Sequence, residues 1–229
     1  MIEWEYMKPI IIALGGSIIA PKLLDDQSVN FIFLKKFKNL ILREIKSGRS
    51  FIIVAGGGKV AKSYQKAIQE FKNIKQQDID LIGIAGTKLN ASFLEAIFRK
   101  EIKRKKVLIA AGTKPGWSTD YVSACLAQQY KAREIIIATN IDFVFDKDPR
   151  IFKDAKPVKK ISFQDYQKII PQKWTPGMNL PLDPVATRLA EKLKLKIKVL
   201  KAENLESFKN AIENKEFRGS VISDFRVSV

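Results

Sequence analysis

Histidine is absent from this chain of 229 residues, and its absence narrows the chemistry that the chain can perform. Imidazole is the commonest general base in enzymes and the commonest zinc ligand in proteins. Any reaction catalysed here must therefore proceed without a histidine base. We assign none of the residues to a metal site.

Cysteine and long apolar runs are also scarce. The one cysteine, Cys125, stands in an apolar stretch that is typical of a helix, so no disulfide framework exists and a reducing compartment is expected. The longest apolar runs, such as residues 10–14, are far too short to cross a bilayer, and residues 1–8 lack the basic region of an export signal. We expect a cytoplasmic protein with no membrane partner.

Acidic residues are fewer than basic residues in this chain. The 41 Lys and Arg residues against 24 Asp and Glu residues give a formal net charge of +17, which attracts nucleic acid and other anions. The lysines are spread over every predicted helix, and they do not alternate with aromatic residues as in single-strand binding surfaces. Because charge alone carries no specificity, we expect solvated basic faces and no nucleic-acid partner.

Short, continuously apolar segments alternate with amphipathic ones along the chain. Such apolar segments are typical of strands that are covered on both faces, and they occur at residues 9–14, 50–55, 107–111, 134–139, 197–200 and 220–223. Helical spacing is found over residues 29–46, 60–71, 80–103, 119–130, 162 onwards, 183–193 and 204–213. A hairpin is predicted between residues 142 and 160, and a loop over 171–181. The pattern predicts an α/β fold, a three-layer α/β/α sandwich with a mostly parallel central sheet, formed by a single domain over residues 1–229.

Glycines follow the first two predicted strands. Gly15 and Gly16 precede Ser17, and residues 56–58 are all glycine, with Lys59 and Lys62 close behind. Ligands of parallel sheets bind at the carboxyl ends of the strands, where amides exposed at glycine turns attract anions. Either cluster alone could be a tight turn. Two clusters at corresponding strand ends predict a phosphate site.

Two classes of phosphate site can be compared with the glycine pattern. No G-x-x-x-x-G-K-[ST] run exists, which excludes a P-loop. Gly56, Gly58 and Ala61 fit G-x-G-x-x-[GA], and an acidic residue, Asp78 or Asp80, lies about twenty residues on, so a dinucleotide site stays open. However, that acidic residue should end a second strand, whereas residues 73–80 are polar and lead into a helix.

Two further segments carry polar residues at strand ends. Residues 112–120 join a strand to a helix, with Ser118 or Thr119 as the helix N-cap. Residues 139–142 follow another strand and are succeeded by Phe145 and Asp148. Either segment alone could be an ordinary loop or turn.

Taken together and in this order, five segments resemble the amino acid kinase superfamily, and within it the archaeal-type UMP kinases. They are LGGS at 14–17, VAGGGK at 54–59, TKPGWSTD at 113–120, TNID at 139–142 and DPVA at 183–186. The resemblance covers nearly the whole chain. It implies an enzyme that transfers a phosphoryl group from ATP, with Mg²⁺, to UMP, and a homo-oligomer that is a hexamer or a dimer.

The resemblance also implies roles for particular residues. Contacts with ATP would be made by Gly16, Ser17, Gly58, Lys62, Thr139, Asn140, Phe145 and Asp148. UMP would be held by Gly57, Asp80, Thr113, Lys114, Pro115, Gly116, Trp117, Ser118 and Thr119, with Asp80 at the ribose hydroxyls. Asp120 would organise the transfer, and Lys62 would act with it as a catalytic residue.

Some positions depart from the family pattern and leave alternatives open. Ala13 stands where many relatives carry a lysine, so a different cation must neutralise the transferring group. Trp117 occupies a position that is more often small or polar. The alternatives are a kinase of the same family with another phosphate or carboxylate acceptor, and a nucleotide-binding relative without turnover. A nucleotide acceptor agrees with the missing histidine, because a phosphate monoester with a second pKa of about 6 needs no general base.

Overall fold

The computed structural model describes residues 8–22, 28–149, 151–173 and 180–225. The strands in these ranges are β1 (Ile10–Leu14), β2 (Phe51–Ala55), β3 (Val107–Ala110), β4 (Glu134–Thr139), β5 (Val144–Phe145), β6 (Pro157–Val158), β7 (Lys160–Ile161), β8 (Lys196–Lys201) and β9 (Ser220–Ile222). Seven of them form one sheet in the order β3-β2-β1-β4-β8-β9-β7, and β5 pairs with β6 in a separate antiparallel hairpin.

The helices surround this sheet. They are α1 (Gly16–Ile19), α2 (Phe31–Lys46), α3 (Gly58–Ile68), α4 (Gln76–Ile97), α5 (Arg99–Lys103), α6 (Thr119–Gln129), α7 (Phe163–Ile169), α8 (Pro184–Lys192) and α9 (Leu205–Ile212). In the part of the chain that the structure describes, none of them combines the length and the apolar character needed to span a membrane.

Five strands of the sheet run in the same direction. β3, β2, β1, β4 and β8 pair in parallel, whereas β9 is antiparallel to β8 and β7 is parallel to β9. The carboxyl ends of the five parallel strands therefore share one edge of the sheet. The loops that follow these strands meet there.

Two apolar cores lie on opposite faces of the sheet. Ile11 and Ala13 of β1 pack with α6, α7 and α8 on one face, and Ile12 and Leu14 pack with α2, α4 and α9 on the other. Because successive side chains of a strand point to opposite faces, a strand covered on both faces must be apolar throughout. This explains the continuous apolar runs and confirms the predicted three-layer α/β/α sandwich with a mostly parallel sheet.

The structure differs from the sequence predictions at three places. The helix predicted over 80–103 begins earlier, at Gln76, because the Asp78 carboxylate accepts a hydrogen bond from the Lys75 amide (3.2 Å) and caps the first turn. It also breaks at Phe98, which is fully buried against Phe37 at a ring distance of 6.3 Å. The sequence pattern missed α1, since four residues are too few to show a period. Of the loop predicted over 171–181, residues 174–179 lie outside the described residues.

Small residues bring α3 close to α4. A Cβ atom added to Gly86 of α4 would lie 2.5 Å from the Ala61 Cβ atom of α3. Only glycine at position 86 allows this approach, because such a contact is shorter than any pair of carbon atoms tolerates. The short distance between the helices places the start of α3 beside the middle of α4.

A buried ion pair joins β4 to β8 at the amino ends of these strands. The Lys198 ammonium is 2.7 Å from a Glu134 carboxylate oxygen and also donates to the Ala211 carbonyl (2.6 Å) and the Asn214 side chain (2.8 Å). Burial lowers the Lys198 pKa, and the Glu134 carboxylate opposes that shift. The Ala211 carbonyl belongs to the last turn of α9, so the ammonium also stabilises the negative end of that helix.

We predict that Glu134→Ala destabilises the protein more than Lys198→Met. The first change leaves a fully buried ammonium without its counter-charge, which costs about 3 kcal/mol. Methionine replaces that ammonium with apolar atoms and leaves the Glu134 carboxylate, whose side chain is 17% exposed and can be solvated. The free energy of unfolding is measured by urea titration. Lys168→Ala, which breaks an exposed pair with Asp165, serves as a control and should leave the free energy of unfolding nearly unchanged. An equal loss of unfolding free energy in Glu134→Ala and Lys198→Met would contradict the prediction.

Candidate active site

The glycine turns that follow β1 and β2 touch each other. Leu14 and Ala55 end these neighbouring strands as a pair, so both turns begin at the same level. A Cβ atom on Gly16 would lie 2.0 Å from the Gly58 nitrogen, and Gly58 itself has a φ of +69°. The two turns therefore lie backbone against backbone, with no room for a side chain between them.

The start of α3 offers main-chain amides to a ligand. Its N-cap is Gly57, which has no side chain that could accept from the first amides of the helix. The first turn of a helix leaves its amides without helical partners and carries a partial positive charge, which favours anions. Close packing explains why glycine is required here, and the exposed amides make the same segment suitable for a phosphate group.

A cleft of about 210 Å³ opens between α3, α4 and the loop over residues 112–120. Most of the residues predicted to bind the acceptor or to act in catalysis line it. These are Gly57, Lys62, Asp80, Lys114, Gly116, Trp117, Ser118, Thr119 and Asp120, and Gly58, which is predicted to contact ATP, lines the cleft as well. Thr113 and Pro115 belong to the same loop but do not line the cleft.

The other residues predicted to bind ATP lie beside the cleft or beyond it. Gly16 and Ser17 begin α1, across the glycine contact from α3. Thr139 and Asn140 follow at the end of β4, whose Ala138 carbonyl accepts a hydrogen bond from Gly15 (2.9 Å). The remaining two residues are Phe145, on β5, and Asp148, in the loop after β5. Neither of them lines the cleft.

The loop over residues 112–120 contains a tight turn. The Trp117 amide donates to the Lys114 carbonyl (3.1 Å), Pro115 occupies the second position, and Gly116 has a φ of +79° at the third. These are the features of a type II turn. Asp80 of α4 holds this turn, since one carboxylate oxygen accepts from the Gly116 amide (2.7 Å).

Two buried polar residues of α4 hold the segments on either side of the cleft. The Thr87 hydroxyl accepts from the Gly112 amide (2.9 Å), and the Asn90 side chain donates to the Gly56 carbonyl (2.7 Å). Together with Asp80 they form a polar face on an otherwise apolar buried surface. Sequence reasoning missed Thr87 and Asn90. Their spacing of seven and ten residues from Asp80, which places all three on one helix face, was the available signal.

An aromatic side chain forms one wall of the cleft. Trp117 meets Tyr121 edge to face at 4.9 Å, and the Lys114 ammonium lies 5.1 Å from the centre of the Trp117 ring. The contacts orient the indole and add positive charge over its face. The wall is therefore suited to a flat, anionic ligand.

A hydrogen bond between two capping residues joins the starts of α6 and α8. Ser118 accepts from the Tyr121 amide (2.9 Å) as the N-cap of α6 and donates to the Asp183 carboxylate. Asp183 caps α8 by accepting from the amides of Val185 (2.8 Å) and Ala186 (3.0 Å). The sequence predicted the Asp183 cap but not its bond to Ser118.

Asp120 occupies the first turn of α6 next to Asp183. Burial, followed by the negative charge of Asp183, raises the Asp120 pKa from 3.8 to about 8, and a hydrogen bond from the Asp183 main chain opposes part of that shift. Near neutral pH the Asp120 carboxyl group therefore carries a proton for much of the time. A cation nearby favours release of that proton, because an opposite charge stabilises the carboxylate.

The dinucleotide alternative does not agree with the structure. Asp78 and Asp80 both belong to α4, and neither ends a strand as the ribose-binding acid of a Rossmann unit does. The dinucleotide reading of Gly56, Gly58 and Ala61 is therefore wrong.

Comparison with known proteins agrees with this arrangement. The sequence pattern of the amino acid kinase family matches residues 8–114 and 100–201. A uridylate kinase from Sulfurisphaera tokodaii is 33% identical over 222 residues, which cover 89% of this chain and 96% of that protein. One from Methanococcus aeolicus is 31% identical over 230 residues, which cover 93% of this chain and 99% of that protein.

Solved structures show the same fold. The uridylate kinase from Archaeoglobus fulgidus superposes with a TM-score of 0.74 at 28% identity, covering 94% of this chain and 100% of that chain. A UMP kinase from Bacillus anthracis, at 23% identity, superposes with a TM-score of 0.78 over 95% of this chain and 96% of that chain. With the match over most of its length, the chain belongs to the amino acid kinase family.

Proposed function

We propose that this chain is a UMP kinase, which transfers the terminal phosphoryl group of ATP to UMP and releases UDP and ADP. The proposal rests on one cleft where the uncapped start of α3, the anchored loop over residues 112–120 and Asp120 meet. The identity of the acceptor comes from the relatives named uridylate kinase, which align with 89% and 93% of this chain. A cytoplasmic location would suit both the substrates and the free thiol of Cys125.

On the acceptor side, UMP would lie against the loop over residues 112–120. Trp117 would provide a flat surface for the base, since aromatic side chains stack on every base. Asp80 would reach the ribose hydroxyls, because a carboxylate has about four acceptor sites and its bonds to Gly116 and Gln76 occupy only two. We assign the remaining contacts to Gly57, Thr113, Lys114, Pro115, Ser118 and Thr119.

On the donor side, ATP would follow the carboxyl ends of β1, β2 and β4. The amides at the start of α3 would bind its phosphates, and Lys62 at the cleft would supply the positive charge that Ala13 cannot provide. We assign the other contacts with ATP to Gly16, Ser17, Gly58, Thr139, Asn140, Phe145 and Asp148.

Mg²⁺ would accompany ATP and spread the charge of the phosphates during the transfer. Such ions are usually held by one or two carboxylates together with the phosphates. The cleft offers Asp120 and Asp183 as carboxylates. Among the residues that the structure describes, no cluster of three or more acidic or thiol side chains is suited to a metal, so the phosphates would supply most of the ligands.

The transfer itself would need positioning more than proton chemistry. The acceptor phosphate is largely dianionic near neutral pH, with a second pKa of about 6, so its oxygen can attack without a general base. Asp120 would act in its ionised form by holding cationic groups beside the transferring phosphoryl group. The bond between Asp183 and Ser118 would keep α6, and with it Asp120, in a fixed position.

We predict that ADP release from Mg·ATP requires UMP and that Asp120→Asn lowers kcat about 100-fold or more, because asparagine cannot supply the negative charge. A coupled assay of ADP release with UMP, CMP, AMP and no acceptor measures both effects. Asp78→Asn is the matched control, since Asp78 lies on the exposed first turn of α4, and it should keep activity. Preference for another acceptor would reassign the substrate, and ATP binding without any turnover would favour a storage or binding role.

We predict that Asp120→Asn also stabilises the protein, increasingly so as the pH rises from about 4 to about 8. The folded-state pKa of Asp120 is raised, so wild-type stability is full below pH 3.8 and is lost as the unfolded chain ionises first. Without nucleotide or Mg²⁺, the variant should melt about 10 °C or more above wild type at about pH 8 and near it at about pH 4. The same Tm difference at both pH values would be inconsistent with a raised pKa.

We predict that Trp117→Ala raises the KM for UMP about 10-fold and leaves the KM for ATP nearly unchanged, because the lost surface serves the acceptor alone. Trp117→Phe keeps an aromatic face and should recover most of the affinity. Steady-state kinetics with each substrate varied in turn makes the measurement. A rise confined to the KM for ATP would place Trp117 on the donor side instead.

A further inference from the structure

Residues 218–220, which lead into β9, lie on the edge of the sheet where the proposed donor residues are found. Ser220 pairs with Val199 in the antiparallel contact between β9 and β8, so Arg218 lies near the carboxyl end of β8. On its other side β8 pairs with β4, which ends at Thr139, a residue assigned to ATP. Arg218 is therefore a neighbour of the donor side, although no sequence motif indicated it.

The side chain of Arg218 contacts residues 139–148. We call these residues the donor segment, because four of the residues assigned to ATP belong to it. The Arg218 Nε atom donates to the Asp142 carboxylate (3.0 Å), and the guanidinium carbon lies 5.4 Å from the centre of the Phe143 ring. The second distance is typical of a cation–π contact. Two residues of the donor segment thus orient the guanidinium plane.

Hydrogen bonds to buried side chains hold the main chain around Arg218. The Arg218 amide donates to the Ser207 hydroxyl of α9 (3.1 Å). The Ser220 hydroxyl accepts from the Val144 amide of the donor segment (2.9 Å). Gly219 lies so close to β8 that a Cβ atom added to it would be 2.4 Å from a carbonyl oxygen of that strand. Residue 218 is therefore tied to both β8 and the donor segment.

The ion pair between Arg218 and Asp142 adds little to the stability of the fold. The Arg218 side chain is 61% exposed and the Asp142 side chain 31%, and water screens such a pair strongly. Phe143 lies against one face of the guanidinium plane, and the exposure of the side chain leaves the other face accessible. This arrangement is suited to a flat ligand that approaches from the solvent.

From these observations we infer that the guanidinium plane of Arg218, supported by Phe143, is the surface on which the base of the donor nucleotide stacks. In the proposed function the donor phosphates bind at the glycine turns after β1 and β2, and the acceptor occupies the cleft on the β2 and β3 side. The nucleoside part of the donor then extends the other way along the edge, past β4 towards β8 and β9. Guanidinium groups stack on bases as well as on aromatic side chains.

The order of the strands favours the base over the phosphates as the group that Arg218 contacts. β9 is three strands away from β1 in the sheet. At a spacing of about 4.8 Å between strands, this separation is about 14 Å, which is too far for a contact with phosphates at the glycine turns. The base is the part of the donor that lies furthest from the transferred phosphoryl group, and it reaches this end of the edge.

The first test is the affinity for Mg·ATP without an acceptor, measured by isothermal titration calorimetry. Arg218→Ala should raise the Kd for ATP about 10-fold, as expected for the loss of one stacking contact with a base. The matched control is Arg43→Ala, because Arg43 is an exposed arginine near the end of α2, which leads into the amino end of β2. An unchanged Kd for Arg218→Ala, an equal rise in both variants, or a wild type that binds no ATP would each overturn the inference.

The second test separates stacking from charge. Arg218→Lys keeps the positive charge but loses the plane, so its Kd for ATP should stay close to that of Arg218→Ala. Inorganic tripolyphosphate, which has phosphates but no base, should compete with ATP equally well in wild type and in Arg218→Ala. Recovery of ATP affinity by lysine, or weaker competition by tripolyphosphate in Arg218→Ala, would indicate a phosphate contact and overturn the inference.

The inference rests on the proposed function for the nature of the donor, but the two can fail separately. We expect Arg218→Ala to raise the KM for ATP about 10-fold and to leave kcat and the KM for UMP nearly unchanged. UMP turnover with an unchanged KM for ATP in this variant would refute the stacking surface and leave the UMP kinase. ATP binding that depends on Arg218, without phosphorylation of UMP, would refute the UMP kinase and leave the stacking surface.

Discussion

Two neighbouring parallel strands that end at the same level leave no room for side chains between the turns that follow them. β1 and β2 end in this way, and their turns come so close that a Cβ atom on Gly16 would be 2.0 Å from the Gly58 nitrogen. Glycine satisfies this packing requirement because it has no side chain. A turn without side chains also exposes its main-chain amides. The contact between the two glycine turns therefore provides a surface that can bind anions.

α4 holds the segments on both sides of that surface in place. Asn90 holds the glycine turn at Gly56, Thr87 holds the start of the following loop at Gly112, and Asp80 holds its type II turn at Gly116. A single rigid helix thus sets the distance between the proposed donor and acceptor sides.

The sequence predicted the layers, the parallel strands and the hairpin, because burial on both faces leaves continuous apolar runs. It also predicted the caps at Ser162 and Asp183, since a cap depends on its own side chain and the next few residues. It missed Thr87 and Asn90 as anchors and the bond between Ser118 and Asp183, whose partners are 65 residues apart. The helical period of apolar residues shows which face of a helix is buried. It does not show which polar group forms a hydrogen bond with a buried polar side chain.

The two carboxylates beside the cleft are not equivalent, and the difference follows from their surroundings. Asp183 accepts two main-chain amides and the Ser118 hydroxyl, so its charge has hydrogen-bond partners. Asp120 is buried beside that charge, and its pKa rises to about 8. Its ionisation is thereby linked to the arrival of a cation. A site that binds polyphosphate with its counter-ions would bring that cation, and Asp120 would then hold it where the phosphoryl group is transferred.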